Sequence, residues 1–503
     1  MSTKISKKPK SNIGNIFLLL SIVLLPIALF YNQLLGTRIE LIIGLVGLLL
    51  FLIGMMIKHN GVKIPLAILN ILISGALVYS QMEFNRMFNY ENKEIHTVSL
   101  VVMANSSIKT EADAKGKSFA RFEGFDEDSY KNFLQNKDET IGVSKTLKEY
   151  DSLEETLKDF YDEKFDVLVL DEGYRDIINE EYEKFDTDTR IITQVEQEVE
   201  KEDEGPVLPE TNIEQPVVIP GHEAGKDPEE TGTNEPLPPK TNPIEISRNS
   251  FTVLLSGIDT RSNRIQAISR SDVNLLMAVN MDTHQVALAS IPRDAFMPIS
   301  CFGNNWDKIT HSGLGGVRCT QKSIANYFNM PINYYAKVNF TSLMRIIDIV
   351  GPIQAYSHYS FTGHSGARFN KGMNTLSGSK ALEFARTRKT VPGGDFTRGI
   401  HQMEVIKGTI AKLSSVNSVL NLNNLVTAIS RNVDTNIPSS VISKLIASQL
   451  QSGGWNVVSQ SQLKGRGILT RRSYKIPNQN IYVMLPYESS LRNVRNALSK
   501  VLK

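Results

Sequence analysis

Three long apolar runs near the N-terminus constrain the fold more than any other feature of the chain. They cover residues 13–30, 39–57 and 62–79, and carry charge only near their edges, at Glu40 and Lys63. Each is close to the length of about 20 residues with which a helix crosses a bilayer. A buried hairpin of a soluble core is the alternative, while a cleaved signal peptide is disfavoured because no small-residue cleavage site ends the first run. We therefore expect three transmembrane helices within residues 13–82.

The loop charges predict the orientation of these helices. Residues 1–12 contain four lysines, and the connection between the second and third runs contains Lys58 and Lys63, whereas the first connection has Arg38 offset by Glu40. Positive residues favour the cytoplasmic side. Residues 1–12 are then a cytoplasmic basic tail, and the chain after about residue 82 lies outside the cell as part of a multi-pass cell-membrane protein.

The near-neutral net charge of +2 hides two oppositely charged pieces. Residues 101–250 contain 17 Lys and Arg against 38 Asp and Glu, and residues 251–503 contain 29 against 11, a net charge of +18. A strongly basic domain indicates an anionic ligand, a membrane surface or a nucleic acid. Because the predicted location is external, we expect no nucleic-acid partner.

Composition divides the external part into three regions. Residues 95–192 alternate strand and helix periods and predict a small α/β accessory domain, with acidic residues such as those of DFYDEKFDVLVLDEGY on solvated faces. A metal site at Asp166, Asp171 and Glu172 is a weaker reading of the same residues. Residues 193–246 form an acidic, Pro- and Glu-rich linker. In residues 247–503, alternating strands and helices predict an α/β/α layered domain with a central sheet.

Charged residues follow or precede the predicted strands of that domain. Asp259 comes directly after the strand FTVLLSGI, Arg270 and Asp272 precede the strand VNLLMAVN, and Arg293 and Asp294 follow VALASIP. Residues two apart in an extended chain point to the same side, and ligands bind at the strand ends of layered sheets. One anion site assembled from distant segments is the prediction, although each residue alone could be a turn former or an ion-paired surface group.

A second set of charged residues surrounds a predicted helix start. Arg386 and Arg388 are two apart, and Asp395 follows two glycines as a candidate N-cap. On the helix DFTRGIHQMEVIKGTI, Arg398 and Gln402 share a face. Such a helix start suits anionic oxygen, because free backbone N–H groups add to the side chains.

Six ordered strings resemble the signature blocks of the LytR-CpsA-Psr (LCP) family: GIDTR, RSDVNLLM, SIPRDAFMP, DKITHS, NTLSGSKALEFARTRK and DFTRGIHQ. The resemblance covers residues 248–503, and the whole layout is similar to the CpsA-type capsule proteins of streptococci. It implies an LCP catalytic domain with phosphotransferase activity outside the cell. Such an enzyme transfers a glycopolymer with its phosphate, here capsular polysaccharide, from a polyprenyl-pyrophosphate carrier to a peptidoglycan hydroxyl. The alternative is a non-catalytic receptor or regulator of capsule synthesis that binds the lipid-linked polymer, and other capsule assembly proteins are further expected partners.

Roles for the charged residues follow from this resemblance together with the chemistry of phosphoryl transfer. We assign Asp259 and Asp272 to Mg²⁺, with Mn²⁺ as the alternative, because hard cations need few carboxylates when phosphate oxygens complete their shell. Asp395 is the candidate general base, with Asp294 and His311 as alternatives. Catalytic arginines are Arg293 and Arg388. The residues expected to bind the pyrophosphate are Arg270, Arg293, Arg386, Arg388, Arg398, Gln402 and, more weakly, Lys308.

A polyprenyl tail needs an apolar groove, which the family implies. Helix faces carrying Val405, Ile406 and Ile410 on one side and Ile346 and Ile347 on the other are the candidates. Ordinary core packing explains the same residues equally well.

Cys301 and Cys319 are the only two cysteines. An external location permits a disulfide between them, which would close a loop worth on the order of 3 kcal/mol. Two unpaired thiols are the alternative.

Overall fold

The computed structural model describes residues 13–88, 93–124, 127–200, 205–209, 244, 246–258, 265–414, 422–452 and 454–503. The chain divides into two compact units. The first comprises Met1–Tyr90, Ser414–Thr427 and Ile437–Trp455, and the second comprises Glu91–Leu413, Ala428–Asn436 and Asn456–Lys503. The predicted cytoplasmic tail, residues 1–12, lies outside the described residues.

The first unit contains three helices long and apolar enough to cross a membrane. They are α1 (Ile13–Tyr31), α2 (Thr37–Met56) and α3 (Asn60–Phe88), with mean hydropathy of 2.6, 2.6 and 1.9 over their most apolar windows. They pack closely because a Cβ at Gly47 would overlap the side chain of Leu25, the small-residue contact typical of membrane helices.

The second unit begins with a small α/β domain built on a five-stranded sheet of order β3-β2-β4-β1-β5. Its strands are β1 (Lys93–Met103), β2 (Phe119–Phe122), β3 (Leu147–Tyr150), β4 (Val167–Asp171) and β5 (Thr189–Glu200). Its helices are α4 (Glu127–Ile141), α5 (Leu153–Tyr161), α6 (Arg175–Glu181) and α7 (Phe185–Asp188). The central strand β4 is buried along its whole length, as expected for a strand covered on both faces.

Two expectations about this region need correction. The linker was predicted to begin at residue 193, but residues 193–200 belong to β5, which pairs antiparallel with β1. Val207 also bridges Ile332, and residues 210–243 and 245 lie outside the described residues. Asp171 is not on a solvated face: it is buried, it accepts a hydrogen bond from the Gly173 N–H, and its other oxygen lies 3.3 Å from Nδ1 of His96.

The larger domain contains a six-stranded mixed sheet of order β16-β11-β6-β7-β8-β17. The strands β6, β7 and β8 form an antiparallel meander, while β11 runs parallel to β6 and β17 parallel to β8. These strands are β6 (Ser250–Ile258), β7 (Ser271–Asn280), β8 (Gln285–Ile291), β11 (Tyr334–Asn339), β16 (Asp434–Thr435) and β17 (Asn456–Gln462). Short antiparallel pairs are β9 (Phe296–Ile299) with β10 (Asn305–Lys308), β12 (Ile353–Ser357) with β15 (Gly372–Leu376), β13 (Phe361–Thr362) with β14 (Arg368–Phe369), and β18 (Gly465–Arg472) with β19 (Pro477–Pro486).

Helices cover both faces of this sheet. They are α8 (Gly316–Phe328), α9 (Phe340–Val350), α10 (Gly378–Arg386), α11 (Asp395–Leu413) and α14 (Glu488–Leu502). Two further helices are α12 (Leu422–Asn432) and α13 (Ser439–Ser452), of which α13 belongs to the first compact unit. Ala287 and Ala289 of β8 belong to one core with residues of α8 and α14. Ser290 points to the opposite face, where it meets α11 at Gly399, since a Cβ there would lie 2.5 Å from its Oγ. The predicted α/β/α layering with a central sheet is therefore confirmed.

Candidate functional site

A cavity of about 380 Å³ lies where the charged strings meet. Six of its lining side chains are arginine or lysine and two are carboxylates, so its wall is suited to an anion. The lining residues are Glu180, Arg270, Asp272, Val273, Arg293, Phe340, His364, Ala385, Arg386, Arg388, Lys389, Arg398 and Gln402. The structure thus brings together seven of the residues singled out from the sequence, from segments more than 130 positions apart.

Asp272 is the acidic centre of the cavity wall. Its side chain is 10 % exposed, and its Oδ1 accepts hydrogen bonds from Arg293 Nη1 at 3.0 Å and from Thr310 Oγ1 at 3.1 Å. Arg270 Nη2 lies 3.9 Å from Oδ2. Burial alone would raise the pKa of this carboxyl, but the charges of Arg270 and Arg293 outweigh it and hold the pKa below its usual value. Asp272 is therefore ionised at neutral pH.

A glycine allows the segment after β10 to approach the start of β7. A Cβ at Gly313 would overlap the carbonyl oxygen of Ser269 and lie 2.8 Å from the Ser271 nitrogen, while the Ser269 N–H donates to the Gly313 carbonyl at 3.2 Å. This contact places Thr310 and His311 beside the Arg270–Asp272 segment.

The helix α11 supplies the opposite wall. Gly393 and Gly394 have φ of +80° and +53°, a conformation that favours glycine, and the helix then begins at Asp395 itself. Arg398 lies 2.5 Å from the Asp395 carboxylate, and Gln402 Nε2 donates to the Ala385 carbonyl at 3.4 Å. Burial raises the pKa of Asp395 in spite of Arg398, and the nearby charge of Asp294 raises it further. Neither Asp294 nor Asp395 lines the cavity.

Other predicted anion-binding residues have different surroundings. The Arg386 guanidinium lies over the ring of Phe340, 3.9 Å from its centre, and both residues line the cavity together with Arg388. Lys308 is not among the lining residues, because its Nζ pairs with Asp294 at 3.3 Å. Its predicted contact with pyrophosphate stays a prediction.

The small domain reaches into the cavity through Glu180 of α6. The Glu180 carboxylate contacts the Arg270 guanidinium, and its Oε2 lies 3.8 Å from Nε2 of His311. Burial opposes ionisation of Glu180, but His311 and Arg270 outweigh it and lower its pKa to about 2. His311 is fully buried and is held by Asp307, whose Oδ1 lies 2.7 Å from Nδ1; burial lowers the pKa of His311, but Asp307 and Glu180 raise it overall.

Six residues of the cavity wall were not singled out from the sequence: Glu180, Val273, Phe340, His364, Ala385 and Lys389. Val273, Ala385 and Lys389 lie within the recognised strings RSDVNLLM and NTLSGSKALEFARTRK, so adjacency could have indicated them, whereas Phe340 is the first residue of α9. His364 belongs to no sequence motif that indicates a binding site. Glu180 could not have been found, because a lone acidic residue on a short helix of another domain gives no signal of its distant partner.

The predicted metal ligands are Asp259 and Asp272. Asp259 lies within residues 259–264, outside the described residues. Among the residues that the structure does describe, no three His, Cys, Asp or Glu side chains form a group that could hold a metal ion. Asp272 fits as a single ligand, because it is ionised at the cavity wall, and Mg²⁺ commonly takes one or two carboxylates with substrate oxygens and waters.

The proposed lipid residues lie on packed helices. Val405 and Ile347 are buried, and Ile346, Ile406 and Ile410 are partly buried. None of them lines the cavity described above, and a polyprenyl groove stays a prediction.

A disulfide joins Cys301 to Cys319, with Cα atoms 5.5 Å apart. Gly315 lies against it, since a Cβ there would be 2.6 Å from the Cys301 sulfur. The bond ties the segment after β9 to α8, next to the loop that carries His311.

A layered mixed sheet with an arginine-lined cavity defines an α/β protein with a site for a phosphate-type anion. The LytR_cpsA_psr family model matches residues 221–500. The chain belongs to this family.

Several curated relatives share the larger domain. The polyisoprenyl-teichoic acid–peptidoglycan teichoic acid transferase TagU of Enterococcus faecalis is 33 % identical over 224 residues, which are 44 % of this chain and 73 % of the relative. TagU of Bacillus subtilis is 32 % identical over 263 residues, 52 % of this chain and 81 % of the relative. The crystal structure of B. subtilis TagU is 31 % identical, with a TM-score of 0.39, and the match covers 51 % of this chain and 98 % of that one. TagT bound to LIIa-WTA is 26 % identical, with a TM-score of 0.40, covering 51 % and 91 %.

Proposed function

We propose that the protein transfers a glycopolymer phosphate from a polyprenyl-pyrophosphate carrier to a hydroxyl of peptidoglycan. The observation that carries this proposal is the cavity lined by Arg270, Arg293, Arg386, Arg388 and Arg398 around an ionised Asp272. Guanidinium groups bind phosphate oxygens through paired hydrogen bonds. The names of the curated relatives, which describe transfer from a polyisoprenyl-linked polymer to peptidoglycan, support the same reaction.

The transfer is a substitution at the phosphorus that bears the polymer. The acceptor oxygen forms a new P–O bond, the bond from that phosphorus to the bridging oxygen breaks, and polyprenyl phosphate leaves with the bonding electrons. Arg293 and Arg388 stabilise the charge on the transferring phosphoryl group. The other cavity arginines and Gln402 hold the diphosphate.

Asp395 takes the proton of the acceptor hydroxyl in this proposal. Its raised pKa makes it a better proton acceptor than an ordinary aspartate. Asp294 is the alternative base, since it lies close enough to raise the pKa of Asp395, but it is already paired with Lys308.

A divalent cation, Mg²⁺ or Mn²⁺, completes the proposed site. Asp272 would hold it, with Asp259 as the second predicted ligand. When bound, the cation neutralises charge on the diphosphate. Omission of divalent ions should therefore reduce turnover.

Two further proposals concern the identity of the transferred polymer and the orientation of the chain in the membrane. We propose capsular polysaccharide as the polymer, following the resemblance to CpsA-type proteins, and other capsule assembly proteins as neighbours. The relatives named TagU act on teichoic acid, so both lipid-linked donors need testing. The three apolar helices anchor the chain, with the N-terminus in the cytoplasm and the α/β domains outside; a reporter fused after Lys503 checks this side.

The direct test uses the full chain in detergent with Mg²⁺, a lipid-linked saccharide and peptidoglycan fragments. A phosphodiester-linked product and free polyprenyl phosphate are expected. Arg388→Ala should lower turnover on the order of 10³-fold, by analogy with arginines that stabilise transferring phosphoryl groups. Arg492→Ala, at an exposed position of α14, is the matched control and should retain full activity. Unchanged turnover in Arg388→Ala would exclude that residue, and donor binding without turnover would favour a receptor.

A further inference from the structure

The small domain places two carboxylates on an arginine of the anion cavity. Glu180 contacts the Arg270 guanidinium directly, and Asp176 Oδ2 lies 3.5 Å from Arg270 Nη2. Both carboxylates belong to α6, and the family model matches only residues 221–500. The contact is therefore made by a part of the chain that lies outside the family match.

The packing between the two domains fixes this contact. Ala267 and Ile268, three and two residues before Arg270, are buried in a hydrophobic cluster with Ile177 and Ile178 of α6. The Ala267 N–H also donates to the carbonyl of Ile95 at 2.6 Å. Because the chain just before Arg270 is held by the small domain, the ion pair is part of a packed interface.

Glu180 lies between a guanidinium group and an imidazole. On one side is Arg270, whose side chain is 13 % exposed, and on the other is His311. His311 Nε2 makes no hydrogen bond with any part of the chain that the structure describes, and it lies 3.8 Å from Glu180 Oε2. Glu180 itself is 29 % exposed and lines the cavity, which leaves it open to a ligand.

Arg270 consequently has more negative charge around it than it can neutralise. Glu180, Asp176 and Asp272 all lie within 3.9 Å of its guanidinium. A phosphate oxygen would compete with Glu180 for the Nη1 donor and would be repelled by all three carboxylates. Binding of a diphosphate at Arg270 is therefore weakened as long as Glu180 holds this guanidinium.

We propose that Glu180 is a competing anion which the small domain supplies to the cavity, and which the diphosphate of the donor must displace from Arg270. This inference rests on the proposed function for the identity of the donor. Glu180 thereby sets the affinity of the site: it weakens binding of the donor and returns to Arg270 when the product leaves. The small domain is then a working part of the active site.

Binding of farnesyl diphosphate to the full chain in detergent tests this inference without any acceptor or turnover. Glu180→Gln keeps the shape of the side chain and removes its charge, so the Kd should fall about tenfold, the size expected for one charged contact. Glu181→Gln, the next residue on α6, does not line the cavity and should leave the Kd unchanged. An unchanged Kd in Glu180→Gln would overturn the proposal. A higher Kd would also overturn it, because Glu180 would then help binding by orienting Arg270.

A double-mutant cycle separates competition from a general structural effect. In an Arg270→Ala background, Glu180→Gln should no longer tighten binding, because the contested guanidinium is gone. Tightening that persists there would overturn the proposal. A wild-type chain that binds farnesyl diphosphate but transfers nothing would contradict the proposed function and leave this inference standing, whereas a chain that binds none would contradict both.

Discussion

His401 should make the folded protein lose stability as the pH falls. It lies on α11, one residue before Gln402, with ring centres of Phe384 and Phe361 at 4.2 and 5.0 Å. Its Nε2 is 3.1 Å from the Ser357 hydroxyl. Burial among these groups lowers the pKa of His401 to about 4, because a charged imidazole would lose its hydration there.

The magnitude follows from the difference between the folded and unfolded pKa values. An unfolded histidine has a pKa of about 6.5, so between pH 6.5 and pH 4 the unfolded chain binds more protons at this residue than the folded chain. The sign is therefore a loss of stability on acidification through that window. Between pH 7.5 and pH 5 the free energy of unfolding should fall by about 2 kcal/mol from this group, and by about 3 kcal/mol in all below pH 4.

The assay is urea unfolding of the detergent-solubilised chain, followed by tryptophan fluorescence at several pH values. His401→Gln should be less stable at pH 7.5 but should lack this part of the pH dependence. His284→Asn, in the β7–β8 turn, is a matched control, because asparagine tolerates the positive φ of 55° found there. His311 titrates in the opposite sense, since its raised pKa gives stability that is lost as the pH rises, but it is present in both proteins and cancels in the difference. A constant difference between wild type and His401→Gln from pH 7.5 to pH 5 would refute the reasoning.

Three further changes test particular contacts. Gly313→Ala should displace the segment that carries Arg270, because the new methyl group would overlap the backbone of Ser269. Stability should fall by about 1–3 kcal/mol, and calorimetry should show weaker binding of pyrophosphate. Replacing both Cys301 and Cys319 by serine should lower the free energy of unfolding by about 3 kcal/mol, and a reducing agent should then have no added effect on urea unfolding. Phe340→Leu removes the ring beneath Arg386 and should weaken diphosphate binding severalfold, in line with about 1 kcal/mol for a cation–π contact; equal affinity would show that the ring does not hold this guanidinium.

Local patterns predicted most of the larger domain. The strand β7 places Arg270 and Asp272 at its start, so period-two alternation was enough to put both side chains on one side. The glycine pair at 393 and 394 likewise predicted the start of α11 and hence the position of Arg398. Such features depend on residues close in sequence, which is why they could be read from the chain.

Long-range packing accounts for the errors. Asp171 looks like part of a solvated acidic run, but His96, 75 residues earlier, pairs with it in the core. The segment 193–200 has the composition of a linker, yet Val195 and Val199 alternate with polar residues and pair with β1. The alternation of apolar and polar residues correctly indicates a strand here, whereas the composition led to the wrong prediction of a linker.

The structure also gives two aspartates from similar charged strings opposite electrostatic environments. Asp272 and Asp395 each stand beside arginines in a charged string. Around Asp272 the arginines outweigh burial and its pKa is lowered, whereas around Asp395 burial and Asp294 outweigh Arg398 and the pKa is raised. Environments that move the pKa values of two acids apart are the usual mark of different chemical roles. Asp272 is consequently suited to remain a charged partner for cations, and Asp395 is the one suited to exchange a proton.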